Sequence, residues 1–312
     1  MKLNFFKKIK NLKVKSGKNY LVISVIICLV VLIALFFGTM AWGVYKLGWR
    51  GGFADNFLEI MPWPAAKVNQ VNILYPDYLK DLKAAEKFYA KQKESGYTNI
   101  PTSEQLQKII LEDRLITNVL VKEIANRYKI TVSQKDIDEA TNTVIANAGG
   151  QDKMTKFLKD YYGLDLLDYK KYFVEPNLYY DKTNEAVIDD ESLNGAAKKK
   201  IQEALSKLRN GENFEDVAKA YSENEKADQH ASQENFLRGE LPKDLEDQLF
   251  ALADGKYTDV VTLPDSYAIF KLLKKDDDKG VLTTQRIIVK LKTLADLITE
   301  QKQKAQIKIY AY

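Results

Sequence analysis

The sequence predicts an α+β protein: an N-terminal transmembrane helix, a mainly helical region, and then a smaller domain with an antiparallel sheet. Three observations predict it. No charge occurs from Asn19 to Tyr45, apolar residues recur at helical spacing between capping signals up to about residue 182, and beyond residue 235 the period shortens between glycine and proline turns. With 312 residues and an apolar share of 46%, the chain has material for a sizeable core.

The run YLVISVIICLVVLIALFFGTMAWGVY would form a helix of roughly 40 Å, enough to span a bilayer with some tilt. Lysines 2, 7, 8, 10, 13, 15 and 18 precede it without a single acid, whereas Trp42, Tyr45, Trp49 and Phe53 mark its far flank. The positive-inside bias therefore places residues 1–18 in the cytoplasm as a basic tail, residues 19–47 in the cell membrane as a single pass, and everything after them outside. The exit Gly38-Thr39-Met40-Ala41-Trp42 is a poor cleavage site, and Ile27 before Cys28 is a poor lipid-attachment context, so the anchor is expected to stay uncleaved. All 43 acids lie beyond residue 54, so the net charge of +4 reflects the tail and gives no nucleic-acid surface.

Residues 48–64, with Gly51-Gly52 and Met61-Pro62-Trp63-Pro64, read as a juxtamembrane linker. AAKVNQVNI at 65–73 reads as a short strand or extended entry, and a helix opens near Pro76 and runs to about Lys93. Thr102 to Gln105 has capping-box spacing, followed by a stripe of Leu106, Ile109, Ile110, Ile116, Val119, Leu120 and Ile124. Ser133 caps a further helix that ends at Gly149-Gly150; 152–162 and 168–182 add two more, which completes a helical domain over 65–182.

A second domain is expected over 183–275. Helices cover Asp190 to Arg209, Phe214 to Tyr221 and Pro242 to Leu252, a polar loop covers 222–235, and TDVVTL with YAIFKLL forms a hairpin around Pro264-Asp265-Ser266. Residues 276–312 read as a strand-helix-strand extension, with strands at 285–290 and in IKIYAY. The lone Cys28 excludes an intramolecular disulfide and, with the lone His230, puts cysteine zinc sites and serine-histidine or cysteine-histidine pairs far behind, since these need spatially adjacent partners. Asp276-Asp277-Asp278 reads as a solvated loop, Asp189 and Asp190 as a helix start, and Lys198 to Lys200 as a wet helix face. No metal and no cofactor is expected.

The segments ENFEDVAKAYSEN, FLRGELPKDLEDQLFAL and GKYTDVVTLPDSYAIFKLLKK resemble, in order and spacing, the parvulin (PpiC-type) peptidyl-prolyl isomerase domain. The helical part, from AAKVNQVNI through LITNVLVKEIANRYKITVSQKDIDEA, is similar to the N-terminal chaperone region of SurA-like and PrsA-like extracytoplasmic foldases. The resemblance implies an apolar pocket for proline, with Phe236, Leu241, Phe250 and Tyr267 at its wall and Ala268 where the last strand of the family carries a histidine. From the residues alone these side chains read as core. The resemblance also implies a histidine-bearing first strand before Asp190, where TNEAVID (183–189) has none, and a glycine-rich stretch that is replaced here by residues 230–236. TQRIIVK at 284–290 resembles that first strand, with Arg286 in the histidine's place; it reads either as a displaced strand or as ordinary sheet with an exposed arginine.

The reading implied is a membrane-anchored folding factor that binds unfolded or translocating, proline-containing polypeptides through a domain lacking the usual histidines, with no catalytic residue assigned. An active isomerase with Tyr267 as a donor is the alternative, and a scaffold docking one folded partner is another. A catalytic His230 would lack a positioned partner.

Overall fold

The computed structural model describes residues 17–49, 51–223 and 233–311. The expectations for the basic tail and for His230 lie outside the described residues. The architecture is α+β, and the chain separates into two compact units, one made of residues 1–86, 101–111 and 306–312, the other of 87–100 and 112–305.

The first unit begins with helix α1, Gly17–Lys46, whose stretch from Tyr20 is long and apolar enough to cross a bilayer. Where a linker was expected, a short helix α2 forms over Gly52–Leu58, because Ala54, Phe57 and Leu58 fall on one face and are buried. Phe57 packs edge-on against Phe36 of α1, with ring centroids 5.7 Å apart. The ring of Trp49 lies so close over Gly43 that no side chain larger than hydrogen fits there.

Residues 64–74 are two strands where a short strand or an extended entry was expected. Strands β1 (Pro64–Val68) and β2 (Val71–Leu74) form an antiparallel hairpin that turns at Asn69, which takes a positive φ of 52°. The last strand, β7 (Ile307–Ile309), pairs with β1, so the three-stranded sheet has the order β2-β1-β7. Tyr75 donates its hydroxyl to the Tyr310 carbonyl at 3.0 Å, and Tyr45 of α1 donates to the Pro64 carbonyl at 3.1 Å. Helix α3 follows over Tyr75–Glu94.

Helix α4 (Ser103–Lys108) opens with both hydrogen bonds of the Thr102–Gln105 capping box and continues through a π-helical stretch, Ile109–Ile116, into α5 (Thr117–Arg127). In the second unit, Ser133 caps α6 (Gln134–Asn147), followed by α7 (Gln151–Phe157), α8 (Leu166–Tyr169) and α9 (Glu175–Ile188). Leu158–Tyr162 and Lys170–Val174 extend α7 and α8 as π-helical turns. TNEAVID therefore closes a helix and is not a strand. Asp190 then caps α10 (Glu191–Arg209), accepting from the Ser192 N–H at 2.8 Å. Tyr128 donates to the same carboxylate at 2.8 Å; burial first, then this bond, pushes the phenol up to about 12.

After α11 (Phe214–Tyr221) come β3 (Glu234–Leu237), α12 (Lys243–Ala251), β4 (Val261–Thr262), β5 (Ser266–Asp276), β6 (Val281–Lys290) and α13 (Leu294–Lys304). The four strands form an antiparallel sheet in the order β3-β6-β5-β4. The segment expected to begin a C-terminal extension thus supplies a central strand. Asp276 accepts from the Lys279 N–H at 3.1 Å inside the β5–β6 turn, the role left to that aspartate run once a calcium loop is set aside.

Candidate functional site

Residues alternate between the two faces of a strand, so the pairing register decides what each face carries. Tyr267 and Ile269 on β5 stand opposite Val289 and Ile287 on β6, and all four pack with α10 and α11 around Ile201, Leu208 and Phe214. Ala268, Phe270 and Leu272 point to the other face, where Leu245 and Leu249 of α12 cover them. Phe236, Leu241 and Phe250 are half-buried against this second cluster.

The structure therefore brings together Phe236, Leu241, Phe250 and Ala268, and it separates Tyr267 from them. Tyr267 adjoins Ala268 in the chain, so the period of two turns the neighbours to opposite faces. It is only 8% exposed in the helix-covered core, which removes it as a wall residue and as a donor to anything bound near Phe250.

The β6 register adds residues that were not grouped with these. Arg286 stands opposite Phe270, and Ile288 opposite Ala268, so both belong to the α12 face. Glu234 of β3 pairs with Thr284, diagonally beside Arg286, and the Arg286 Nη2 donates to Glu234 Oε1 at 2.9 Å. Both side chains are 27% exposed. Among the described residues, the Nε of Arg286 is buried without a hydrogen-bond partner, as is the Oγ1 of Thr284, a residue with no exposed surface.

Opposite this polar centre, the guanidinium of Arg238 lies 3.8 Å above the ring centroid of Phe250. It is held by the loop that follows β3, where the Gly239 N–H donates to Glu246 Oε2 at 2.6 Å. Gly239 takes φ 86°, a turn that L side chains resist.

Chemically, the face presents an apolar strip, a guanidinium with donors to spare, and a carboxylate that orients it. An extended peptide has complementary groups: apolar side chains for the strip and carbonyl oxygens for the guanidinium. The strip was legible as Phe236, Leu241 and Phe250. Glu234 and Thr284 went unnoticed because only the register of β6 shows that they share its face, and Arg238 because only the folded loop after β3 lays it over Phe250. The alternation in TQRIIVK, with Arg286 and Ile288 out of phase with Ile287 and Val289, was the available signal.

Comparison with known proteins accords with this geometry. Residues 182–274 match the PPIC-type PPIASE domain, and residues 12–161 match the SurA-like N-terminal domain. The foldase protein PrsA of Staphylococcus aureus strain bovine RF122 / ET3-1 is 26% identical over 239 residues, covering 67% of this chain and 74% of that protein. The same protein from strains MRSA252 and Newman matches to the same extent. The matched isomerase domain stops at residue 274, before β6, although β6 lies between two of its strands. The chain thus carries a SurA-like N-terminal domain followed by a PPIC-type peptidyl-prolyl isomerase domain, the pairing of a SurA/PrsA-like parvulin foldase.

Proposed function

We propose that the chain is a membrane-anchored extracytoplasmic folding factor that captures unfolded or translocating polypeptides on the α12 face of its parvulin-like sheet. The observation that carries this reading is the composition of that face. Phe236, Leu241 and Phe250 leave apolar surface half open beside the Arg286–Glu234 pair. Such a strip holds extended segments weakly and reversibly, and so lowers the free concentration of aggregation-prone chain. The apolar α1 and the lysine-rich stretch before it support anchoring with the sheet domain outside the cell membrane. PrsA of S. aureus is named a foldase, which supports the same assignment here.

A second reading, catalysed prolyl isomerisation, draws on Arg286. Twisting the X-Pro bond must overcome a barrier of about 18–20 kcal/mol, and a guanidinium fixed by Glu234 is a donor suited to the imide group as conjugation is lost. Exchange NMR on a short X-Pro peptide, with full-length protein in lipid nanodiscs, separates the two. Capture predicts peptide shift changes without faster cis–trans exchange, and their loss in Phe250→Ala. Accelerated exchange that disappears in both Phe250→Ala and Arg286→Met would replace capture with catalysis. Saturable binding of one folded partner, with no suppression of client aggregation, would replace both with a scaffold.

A further inference from the structure

The apolar run of α1 extends to Lys46, but the fold divides it in two. Every residue from Tyr20 to Thr39 is exposed, and at 1.5 Å per residue that stretch is about 30 Å long, the thickness of a bilayer's hydrocarbon core. Met40, Gly43 and Val44, which follow, are buried, Gly43 beneath the Trp49 ring. Tyr45 completes the join. Its ring lies 5.8 Å from that of Trp63 and 5.6 Å from that of Tyr310, and its hydroxyl is the donor to Pro64 already described. The last turns of α1, apolar as they are, therefore pack into the first unit, whereas the turns before them are open.

Helix α2 sits at that border. Phe57 reaches both Phe36 and Phe37, at 5.7 and 5.8 Å, and Phe53 lies 6.4 Å from Phe36, so α2 packs beside α1 within a turn of Thr39. Its buried face carries Ala54, Phe57 and Leu58. A second stripe, Phe53, Asn56 and Ile60, recurs at spacings of three and four into the turn after α2, and all three side chains are exposed. Phe53 is 67% and Ile60 72% exposed, matching the 68% of Leu21 in the open part of α1. The two acids of this segment are engaged elsewhere: Asp55 accepts from the Gly51 N–H at 2.8 Å, and Glu59 pairs with Lys83. Trp42 and the Trp49 ring over Gly43, both exposed, lie about 5 Å beyond Thr39 along the helix axis, the depth at which indoles gather in membranes.

We infer that the first unit is seated on the lipid surface: the hydrocarbon core ends near Thr39, and the Phe53–Asn56–Ile60 stripe of α2 inserts at the boundary between acyl chains and headgroups. The span is thus shorter than the apolar run, and the turns from Met40 onward stand outside it as part of the folded unit. Lipid is the occupant because the stripe continues the open surface of α1, and an amide between two apolar side chains, with indoles just above, suits headgroup depth. The inference rests on the reading of the chain as membrane-anchored. It gives that anchor what a loose tether lacks, since α1 passes from lipid into the folded unit without a break and α2 fixes the height at which it does so.

The test places single nitroxide labels on the full chain in phosphatidylcholine nanodiscs, in a Cys28→Ser background, and compares their collisions with oxygen, which enters lipid, and with a water-soluble nickel chelate. Leu32→Cys marks mid-span and Leu237→Cys, on the exposed side of β3, marks water. Labels at Phe53→Cys, Asn56→Cys and Ile60→Cys are expected to give an oxygen-to-nickel ratio about fivefold above that of Leu237→Cys, whereas Lys46→Cys, at the end of the apolar run, should give the water value. Adding Phe53→Asp and Ile60→Asp to the Asn56→Cys chain should bring its ratio down to the water value, with circular dichroism showing that the chain is folded. Nickel access at the α2 labels equal to that at Leu237→Cys overturns the inference. So do labels shielded from both reagents, and so does dipolar broadening that vanishes on dilution with unlabelled chain, which makes the stripe an interface between copies. A Leu32→Cys label in water sinks the anchored reading itself; Leu32→Cys in lipid with the α2 labels in water sinks only the seating of α2.

Discussion

Asn194 is 3% exposed and fastens three parts of the second unit at one point. Its Nδ2 donates to the carbonyls of Val187, Ile188 and Lys292 at 2.9, 3.2 and 3.1 Å, and its Oδ1 accepts from the Lys292 N–H at 2.8 Å. The end of α9, the start of α10 and the chain leaving β6 are thereby joined. Replacing Asn194 with Ala removes four bonds and leaves their backbone partners buried. At about 1 kcal/mol net per bond, with some recovered by local shifts, the cost is about 3 kcal/mol, or roughly 150-fold in the opening equilibrium. Because all three tryptophans, Trp42, Trp49 and Trp63, lie in the first unit, their fluorescence does not report this opening. Hydrogen exchange of the β6 amides, read by mass spectrometry, does. Asn194→Asp turns acceptors toward three carbonyls, so burial raises the new carboxyl and its penalty grows as pH rises. Less than fivefold faster exchange in Asn194→Ala, or an Asn194→Asp chain as protected at pH 7 as the native one, would refute the reasoning.

Two other outcomes follow from the second unit. Lys182 lies 2.8 Å from the Asp136 carboxylate and, with Ser133, holds it down to about 2 from 3.8. A depressed folded value stabilises above the unfolded one and is lost as pH falls through about 2, so Lys182→Met should shift acid loosening of α6 toward pH 3.8; identical acid melts for the two chains would contradict this. Arg238→Ala uncovers the Phe250 ring and is expected to tighten binding of an apolar X-Pro peptide about threefold by NMR titration; weaker binding would show that Arg238 itself holds the peptide.

Local signals were legible and long-range ones were not. The cap at Thr102 forms the expected reciprocal bonds and the cap at Ser133 closes a box with Asp136 as well, since a capping box needs only four consecutive residues. The apolar run and the strand YAIFKLL were equally plain. The Asn69 turn was missed because VNQVN lacks the usual Asn-Gly, and the β1–β7 pairing joins residues more than two hundred positions apart, beyond any local pattern. At the site, the strip was visible in composition, yet grouping Tyr267 with Ala268 ignored a period of two that the sequence displays. Arg286 stood out as a residue in a histidine's place, but only pairing with both β5 and β3 gives it Glu234.

The position of β6 sets an order of assembly. A chain delivered N-terminus first presents β3 well before, and β4 and β5 just before, the strand that belongs between β3 and β5. Until residue 290 has emerged, two strand edges and the apolar faces of α10, α11 and α12 lack their partner, and for that interval this domain is itself a chain in need of protection. Its own synthesis thus makes each newly made copy a substrate of the kind that finished copies are proposed to hold.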